Sequence, residues 1–92
     1  MEPAARNLAR ILELLEGFGV EVRAERLGGS GGGLCLLRGR HAFYLDLDAD
    51  EVTREESAIR ALAEMPQADA TYLPPAIRER VEREKARRAG GQ

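Results

Sequence analysis

The chain has little of what most catalytic and metal sites are built from. Its 92 residues include one cysteine, one histidine and no tryptophan. Cys35 has no partner for an internal disulfide, and one cysteine with one histidine cannot build an ordinary zinc site within the chain. We therefore interpret Cys35, which lies among leucines, as a structural thiol rather than a nucleophile activated by His41.

Long apolar runs are also absent. No segment approaches the roughly 18 apolar residues that a membrane-spanning helix requires, and the N-terminus has acidic residues where a signal peptide needs an apolar core. We therefore expect a cytoplasmic protein that does not bind membranes. A chain of this length can bury one core, which predicts a single domain over residues 1–88 and a disordered tail at 89–92.

Charge is nearly balanced overall, at −2, but is unevenly placed. Residues 46–69 are predominantly acidic and residues 70–92 predominantly basic. This balance indicates no polyanionic partner. The sequence carries no complete nucleotide or metal motif, so we expect no cofactor.

What the sequence does contain is an alternation of helix and strand patterns. It predicts an α+β fold with an N-terminal helix, a three-stranded antiparallel sheet and two C-terminal helices. Apolar residues at helical spacing predict a first helix over residues 3–16, which the glycines at 17 and 19 end. Strands are predicted at 20–27, 33–38 and 42–48.

The three strand segments differ in pattern. Residues 20–25 alternate apolar and charged, which favours a half-exposed strand near a sheet edge, whereas residues 34–37 are continuously apolar and favour a more central position. In the third segment the alternation places Asp46 and Asp48 on the solvent side.

Two more helices are predicted after the strands. Asp50 or Thr53 caps the first of them, which ends at Met65 before a proline. The last helix begins at Pro74-Pro75 and carries a narrow apolar stripe through Ile77 and Val81. Beyond Val81 it has no further apolar anchor, so we expect that part to project into water or fray.

The glycine-rich tract Gly28–Gly33 invites comparison with phosphate-binding loops. A P-loop needs a lysine and a following helix, but this tract has no lysine nearby and leads into a strand. We interpret it as a flexible or closely approached connector.

Acidic residues at 46, 48 and 50 resemble the opening of a calcium loop. The pattern then fails, because Glu51 stands where the turn needs glycine and Ser57 where a bidentate glutamate is required. We expect no metal site, although an enzyme or regulator using a cation at Asp46, Asp48 and Glu64, in the acidic 46–64 segment, is an alternative.

Two basic segments are candidates for anion contacts. The hairpin tip holds Arg38, Arg40 and His41, for which a polar turn is a sufficient explanation. Nucleic-acid binding through four arginines of the C-terminal helix is an alternative function, although interleaved glutamates reduce the net positive charge of that helix. These arginines are Arg80, Arg83, Arg87 and Arg88.

The runs GGGLCLLRGR (31–40), FYLD (43–46) and YLPPAIR (72–78) resemble a family of short, uncharacterised bacterial proteins, a resemblance that implies no activity. A remoter similarity is to the N-terminal half of ImmA/IrrE-type metallopeptidase domains. Where that family carries H-E-x-x-H, this chain matches only Glu64. Ala63 and Gln67 stand at the two histidine positions, so the similarity implies a scaffold without its zinc.

These observations together favour a small, non-catalytic protein that self-associates or binds a protein partner. A three-stranded sheet leaves an unpaired edge and a thin core, and a homo-oligomer covers both. The residues predicted to make that contact are Tyr44, Tyr72, Ile77 and Val81.

Overall fold

A computed structural model describes the backbone of residues 3–90 and the side chains of residues 7–90. The chain forms three α-helices, three strands and one short 3₁₀ helix. In order they are α1 (Pro3–Gly17), β1 (Glu21–Glu25), β2 (Gly32–Leu37), β3 (Arg40–Asp46), α2 (Glu51–Glu64), the 3₁₀ helix (Pro66–Asp69) and α3 (Pro75–Gly90). The predicted α+β class and the order of a helix, a sheet and two helices are confirmed.

Helix α1 ends as its glycines predict. Gly19 has a φ of 91°, a conformation that is easy only for glycine. The Val20 amide donates to the Leu15 carbonyl, and the Gly19 amide donates to the Glu16 carbonyl. These two bonds form a Schellman motif, which satisfies carbonyls that the helix leaves open and turns the chain toward β1.

The sheet has the order β1-β3-β2, and it is mixed rather than antiparallel. Strand β1 runs parallel to β3, with Val22 beside Phe43, whereas β2 pairs antiparallel with β3. The prediction of a purely antiparallel sheet is therefore wrong. The reason is that β3 inserts between the two strands that precede it, so the connection from β1 to β2 must cross the end of β3.

This order also reverses the predicted position of the apolar strand. Strand β3 is central and β2 lies at an edge, although the apolar run 34–37 favoured a central position. Leu34 packs against the core, but Leu36 and Leu37 are exposed. The continuous apolar run of β2 therefore does not mean that both faces of this strand are buried.

The helices cover one face of the sheet. Helices α1 and α2 pack against each other and against the strands, and α3 packs on α2. The core between these layers centres on fully buried Phe43, Ile11 and Leu62. Asp50 caps the N-terminus of α2: its carboxylate accepts a hydrogen bond from the Thr53 amide at 2.8 Å, so Asp50 is the one of the two predicted caps that the structure shows.

Helix α3 is longer than its apolar stripe suggested. Ile77 and Val81 anchor its first half in the core, and the second half remains helical to Gly90. Arg88 fixes that half by donating to the Glu64 carboxylate and to the Arg60 carbonyl, each at 3.2 Å. Residues 89–90 of the predicted tail are therefore helical, and residues 91–92 lie outside the described range.

Candidate functional site

The glycine tract closes around a carboxylate of the chain itself. Asp46, the last residue of β3, is fully buried and lies where the β1–β2 connection crosses the central strand. Its two oxygens accept four backbone hydrogen bonds of 2.8–3.0 Å. The donors are the amides of Leu27, Gly29, Gly31 and Asp48. We call this arrangement the Asp46 cradle.

The electrostatics of the cradle follow from these bonds. Burial opposes ionisation of Asp46, but the amides of Gly31, Leu27, Asp48 and Gly29 together outweigh it and lower the pKa of the carboxyl to about 2. Hydrogen bonds from N–H groups favour the charged form because they stabilise the carboxylate directly. Asp46 is therefore ionised at neutral pH and bound entirely within its own chain.

Asp48 completes the closure of the loop. Its carboxylate accepts from the Gly28 amide at 3.0 Å and from the Arg26 guanidinium at 2.8 Å. The tract is thus ordered by two carboxylates, and the amides that a phosphate-binding loop would offer to a ligand are already used. The prediction that Asp46 faces solvent is wrong, because the crossing loop covers it.

Backbone packing explains a glycine at position 32. Its φ is 72°, and a Cβ there would lie 1.9 Å from the Tyr44 carbonyl oxygen. No real Cβ contact is that short, so any side chain would displace β3 or the loop.

The cation hypothesis finds no support in this geometry. The Asp46 oxygens are engaged by amides, and Glu64 lies at the far end of α2, about 20 Å along the helix from its start. Within residues 3–90, no group of three His, Cys, Asp or Glu side chains is arranged to hold a metal ion.

The arginines of α3 are paired with glutamates. Arg80 donates to Glu55, a residue only 4% exposed, and Arg83 lies 3.4 Å from Glu79. Arg87 and Arg88 share Glu84, at 2.7 and 3.1 Å. A groove of about 300 Å³ lies between α2 and α3, and the charged residues that line it are Arg80, Arg83, Arg87, Glu84, Arg60 and Glu56. Because the arginines of α3 pair with glutamates of the same chain, little of their positive charge is left to bind nucleic acid.

A second concavity lies at the opposite end of the sheet from the Asp46 cradle. It encloses about 510 Å³ beside the hairpin turn, and its lining includes Arg23, Arg38, Arg40 and His41. Because His41 follows Arg40 along β3, its imidazole lies on the opposite face of the sheet from the side chains of Arg23 and Arg40. Glu21 is the single carboxylate of the lining and lies 3.3 Å from Arg23. We call this concavity the hairpin-end hollow.

The β2 edge exposes two apolar side chains next to each other. Leu36 is 61% exposed and Leu37 is 43% exposed. No residue of β2 is charged. Among residues 3–90, the only strand that pairs with β2 is β3, and no other backbone hydrogen bond reaches it.

The predicted contact residues are divided between surface and core. Tyr72 is 73% exposed, and Tyr44 is half-buried on the face of the sheet away from the helices, where it accepts a hydrogen bond from Arg23 at 3.2 Å. Ile77 and Val81, at 1% and 0% exposure, belong to the core and are not available to a partner. The sequence signal for the β2 edge, an uncharged strand, was present but assigned to the sheet interior.

Cys35 and His41 do not form a catalytic pair. Cys35 lies opposite Ala42 and Leu36 lies opposite His41. Because successive side chains alternate between the faces of a sheet, the thiol and the imidazole are on opposite faces. Cys35 is a free, partly buried thiol.

Comparison with models of protein families, with curated proteins and with solved structures finds no match. The resemblance to the metallopeptidase scaffold therefore stays a prediction. In the part of the chain that the structure describes, no helix is both long enough and apolar enough to cross a membrane.

Proposed function

We propose that this protein is a non-catalytic association module that pairs with a second copy of itself through the edge strand β2. The observation that carries the proposal is that β2 is an edge strand with no charged residue and with Leu36 61% exposed. Natural edge strands are usually protected by charges, prolines or bulges, because an unprotected edge recruits another strand.

The hairpin geometry identifies the groups that a second strand would meet. The turn has two central residues, Arg38 and Gly39, with φ values of 53° and 80°, as in a type I′ turn. Such a hairpin closes on a hydrogen-bonded pair, here Leu37 with Arg40. Hydrogen-bonded and non-hydrogen-bonded pairs alternate along an antiparallel ladder, so Leu36 and Leu34 direct their amides and carbonyls away from β3.

A two-fold axis at Leu34 satisfies these groups in two copies at once. In that antiparallel register Leu36 of one copy lies opposite Gly32 of the other, and the two Leu34 residues lie opposite each other. No like charges meet, and the missing side chain of Gly32 leaves space for Leu36. A second copy is thus an occupant with matching shape and charge.

The contact is small. Stable interfaces bury roughly 1,200–2,000 Å² in total, and one six-residue strand pair offers less than that. We therefore expect association that depends on concentration. An extended peptide from another protein would use the same outward amides, and it is the alternative that the experiment below separates.

The test is sedimentation velocity of the full chain over a hundredfold range of concentration. We expect a monomer–dimer equilibrium that Leu36→Lys abolishes, because the lysine would face the neighbouring strand. Tyr72→Lys is the matched control, since Tyr72 is also well exposed, at 73%, but lies outside the sheet. A monomer at every concentration would overturn self-association, and so would dimerisation lost in the Tyr72 variant instead.

Amide hydrogen exchange supplies a second measurement with residue resolution. The amides of Cys35 and Leu37 bond to β3 and should be protected at every concentration. Those of Leu34 and Leu36 should gain protection only as dimer forms. Unchanged exchange at Leu34 and Leu36 in a sample shown to be dimeric would place the interface elsewhere.

A further inference from the structure

We infer that the hairpin-end hollow binds the phosphate group of a small phosphorylated molecule. This inference does not depend on self-association through β2. It concerns the concavity of about 510 Å³ formed where the turn, the start of β1 and the start of β3 meet, a volume within the range typical of small-molecule sites.

The first argument is the charge balance of the hollow. Three guanidinium groups and one carboxylate line it. The carboxylate, Glu21, lies beside Arg23. Among the described residues, neither Arg38 nor Arg40 has a carboxylate within ion-pair distance. The hollow therefore keeps a net positive charge that no residue of the described range neutralises, unlike the groove between α2 and α3.

The second argument is the orientation of Arg23. Its guanidinium donates to the Tyr44 hydroxyl at 3.2 Å and lies 5.9 Å from the centre of the Tyr44 ring. Glu21, on the same face of β1, lies 3.3 Å from it. These contacts hold one guanidinium at the side of the hollow. A group fixed in advance loses less entropy when it binds an anion.

The third argument is the residue at the turn. Arg38 has a φ of 53°, in the left-handed region that side chains other than Asn, Asp and Gly rarely adopt. The first central position of a type I′ turn favours Asn, Asp or Gly. An arginine is thus placed where it weakens the turn, which is the kind of local strain found at binding sites.

The chemistry of the lining selects phosphate. Guanidinium groups bind phosphate oxygens through paired N–H donors. Leu37 and Ala42 supply an apolar wall beside them, against which the carbon skeleton of a small ester can pack. Citrate offers a similar charge on carboxylates, so it tests whether the site requires phosphate or any polyanion.

The experiment is a titration of the isotope-labelled full chain with pyrophosphate, followed by amide and arginine side-chain NMR signals. We expect saturable shifts confined to residues 21–23 and 37–42, and weaker binding of citrate. Arg40→Gln should weaken binding roughly tenfold, as loss of a charged hydrogen-bond donor implies.

Arg38→Asn separates binding from folding. It should weaken pyrophosphate binding and at the same time raise the melting temperature, because asparagine suits the turn. Arg83→Gln is the matched control for charge: it removes one exposed arginine from α3, where Arg83 pairs with Glu79, and should leave binding unchanged.

Three results would overturn the inference. They are shifts that do not saturate, an equal loss of binding in the Arg83 variant, and shifts centred on the α2–α3 groove. Tighter binding of citrate than of pyrophosphate would also contradict it, because the site would then not select phosphate. A single-stranded oligonucleotide that binds without competition from pyrophosphate would assign the basic surface to nucleic acid instead.

Discussion

The charged side chains at the two ends of the β2–β3 hairpin differ in whether the chain itself supplies their partners. At the glycine end, the Asp46 carboxylate is buried and accepts hydrogen bonds from four backbone amides of its own chain. At the turn end, Arg38 and Arg40 surround a hollow with one carboxylate, which already lies beside Arg23. The comparison separates charge that holds the fold together from charge that is left for a ligand.

The largest expected effect comes from crowding at the glycine end. Gly32→Ala should lower the free energy of unfolding by about 3 kcal/mol or more, since its Cβ would collide with the Tyr44 carbonyl. Gly39→Ala, at the turn end, is the matched control. It has a similar φ of 80° but open space around it, so it should cost only about 1 kcal/mol. Urea denaturation measures both, and equal losses would contradict the proposed packing.

Removing the charge in the cradle should have the next largest effect. Asp46→Asn leaves one oxygen acceptor where there were two and places an amide NH₂ against N–H donors. We expect a fall in melting temperature greater than that of Gly39→Ala. Asp48→Asn is the control, because Asp48 is partly exposed and accepts only one backbone amide. A larger effect at Asp48 than at Asp46 would show that the cradle is not the main anchor of the loop.

Acid should weaken the glycine end selectively. The pKa of Asp46 is about 2 in the folded chain, below its ordinary value of 3.8, so the unfolded chain takes up the proton first as pH falls. The stabilisation is complete above the ordinary pKa and is lost as pH falls toward about 2. Melting curves between neutral pH and this range should show the loss.

The Asp46→Asn variant serves as the reference for this pH dependence. Hydrogen bonds from the Thr53 amide and from the Lys85 ammonium also lower the pKa values of Asp50 and Asp69, and both groups remain in the variant. The difference between the two curves therefore isolates Asp46. Parallel curves would mean that Asp46 does not contribute in the acid range.

The smallest expected effect has the opposite sign and lies at the turn end. Arg38→Asn should stabilise the chain by about 0.5–1 kcal/mol, because asparagine tolerates the left-handed conformation that Arg38 adopts. Thermal unfolding measures it, with Arg40→Asn as a control that removes the same charge outside the turn. Destabilisation by Arg38→Asn would show that the arginine contributes to the fold and would remove one argument for a binding role.

Local structure was largely predictable. The apolar spacing of α1, the Gly19 stop and the Asp50 cap all depend on residues within one or two turns of each other, so the sequence alone identifies them. The three strand segments were also located, because alternation and glycine punctuation are local signals. The candidate site was not predictable in the same way: Arg38, Arg40 and His41 were recognised as a basic tip, but the contribution of Arg23 depends on β1 lying beside β3.

Local sequence patterns did not predict which strands pair with each other. An apolar run such as 34–37 predicts burial but does not say which strand lies beside it, so β2 lies at an edge although its sequence favoured a central position. The alternating pattern of β1 did favour the edge position that it occupies. The carboxylate of Asp46 illustrates the same limit. Its place in the alternation predicts a solvent-facing side chain, and only the loop that crosses β3 converts it into a buried anchor.

The sequence by itself determined the helices, the strand segments, the turn at Arg38-Gly39 and the glycines that permit a closely packed loop, because these follow from the conformational preferences of neighbouring residues. The tertiary structure decided the strand order, the burial of Asp46, the exposure of β2 and the gathering of basic side chains at one end of the sheet. Each of these depends on contacts between residues about 15 or more positions apart, which no local pattern encodes.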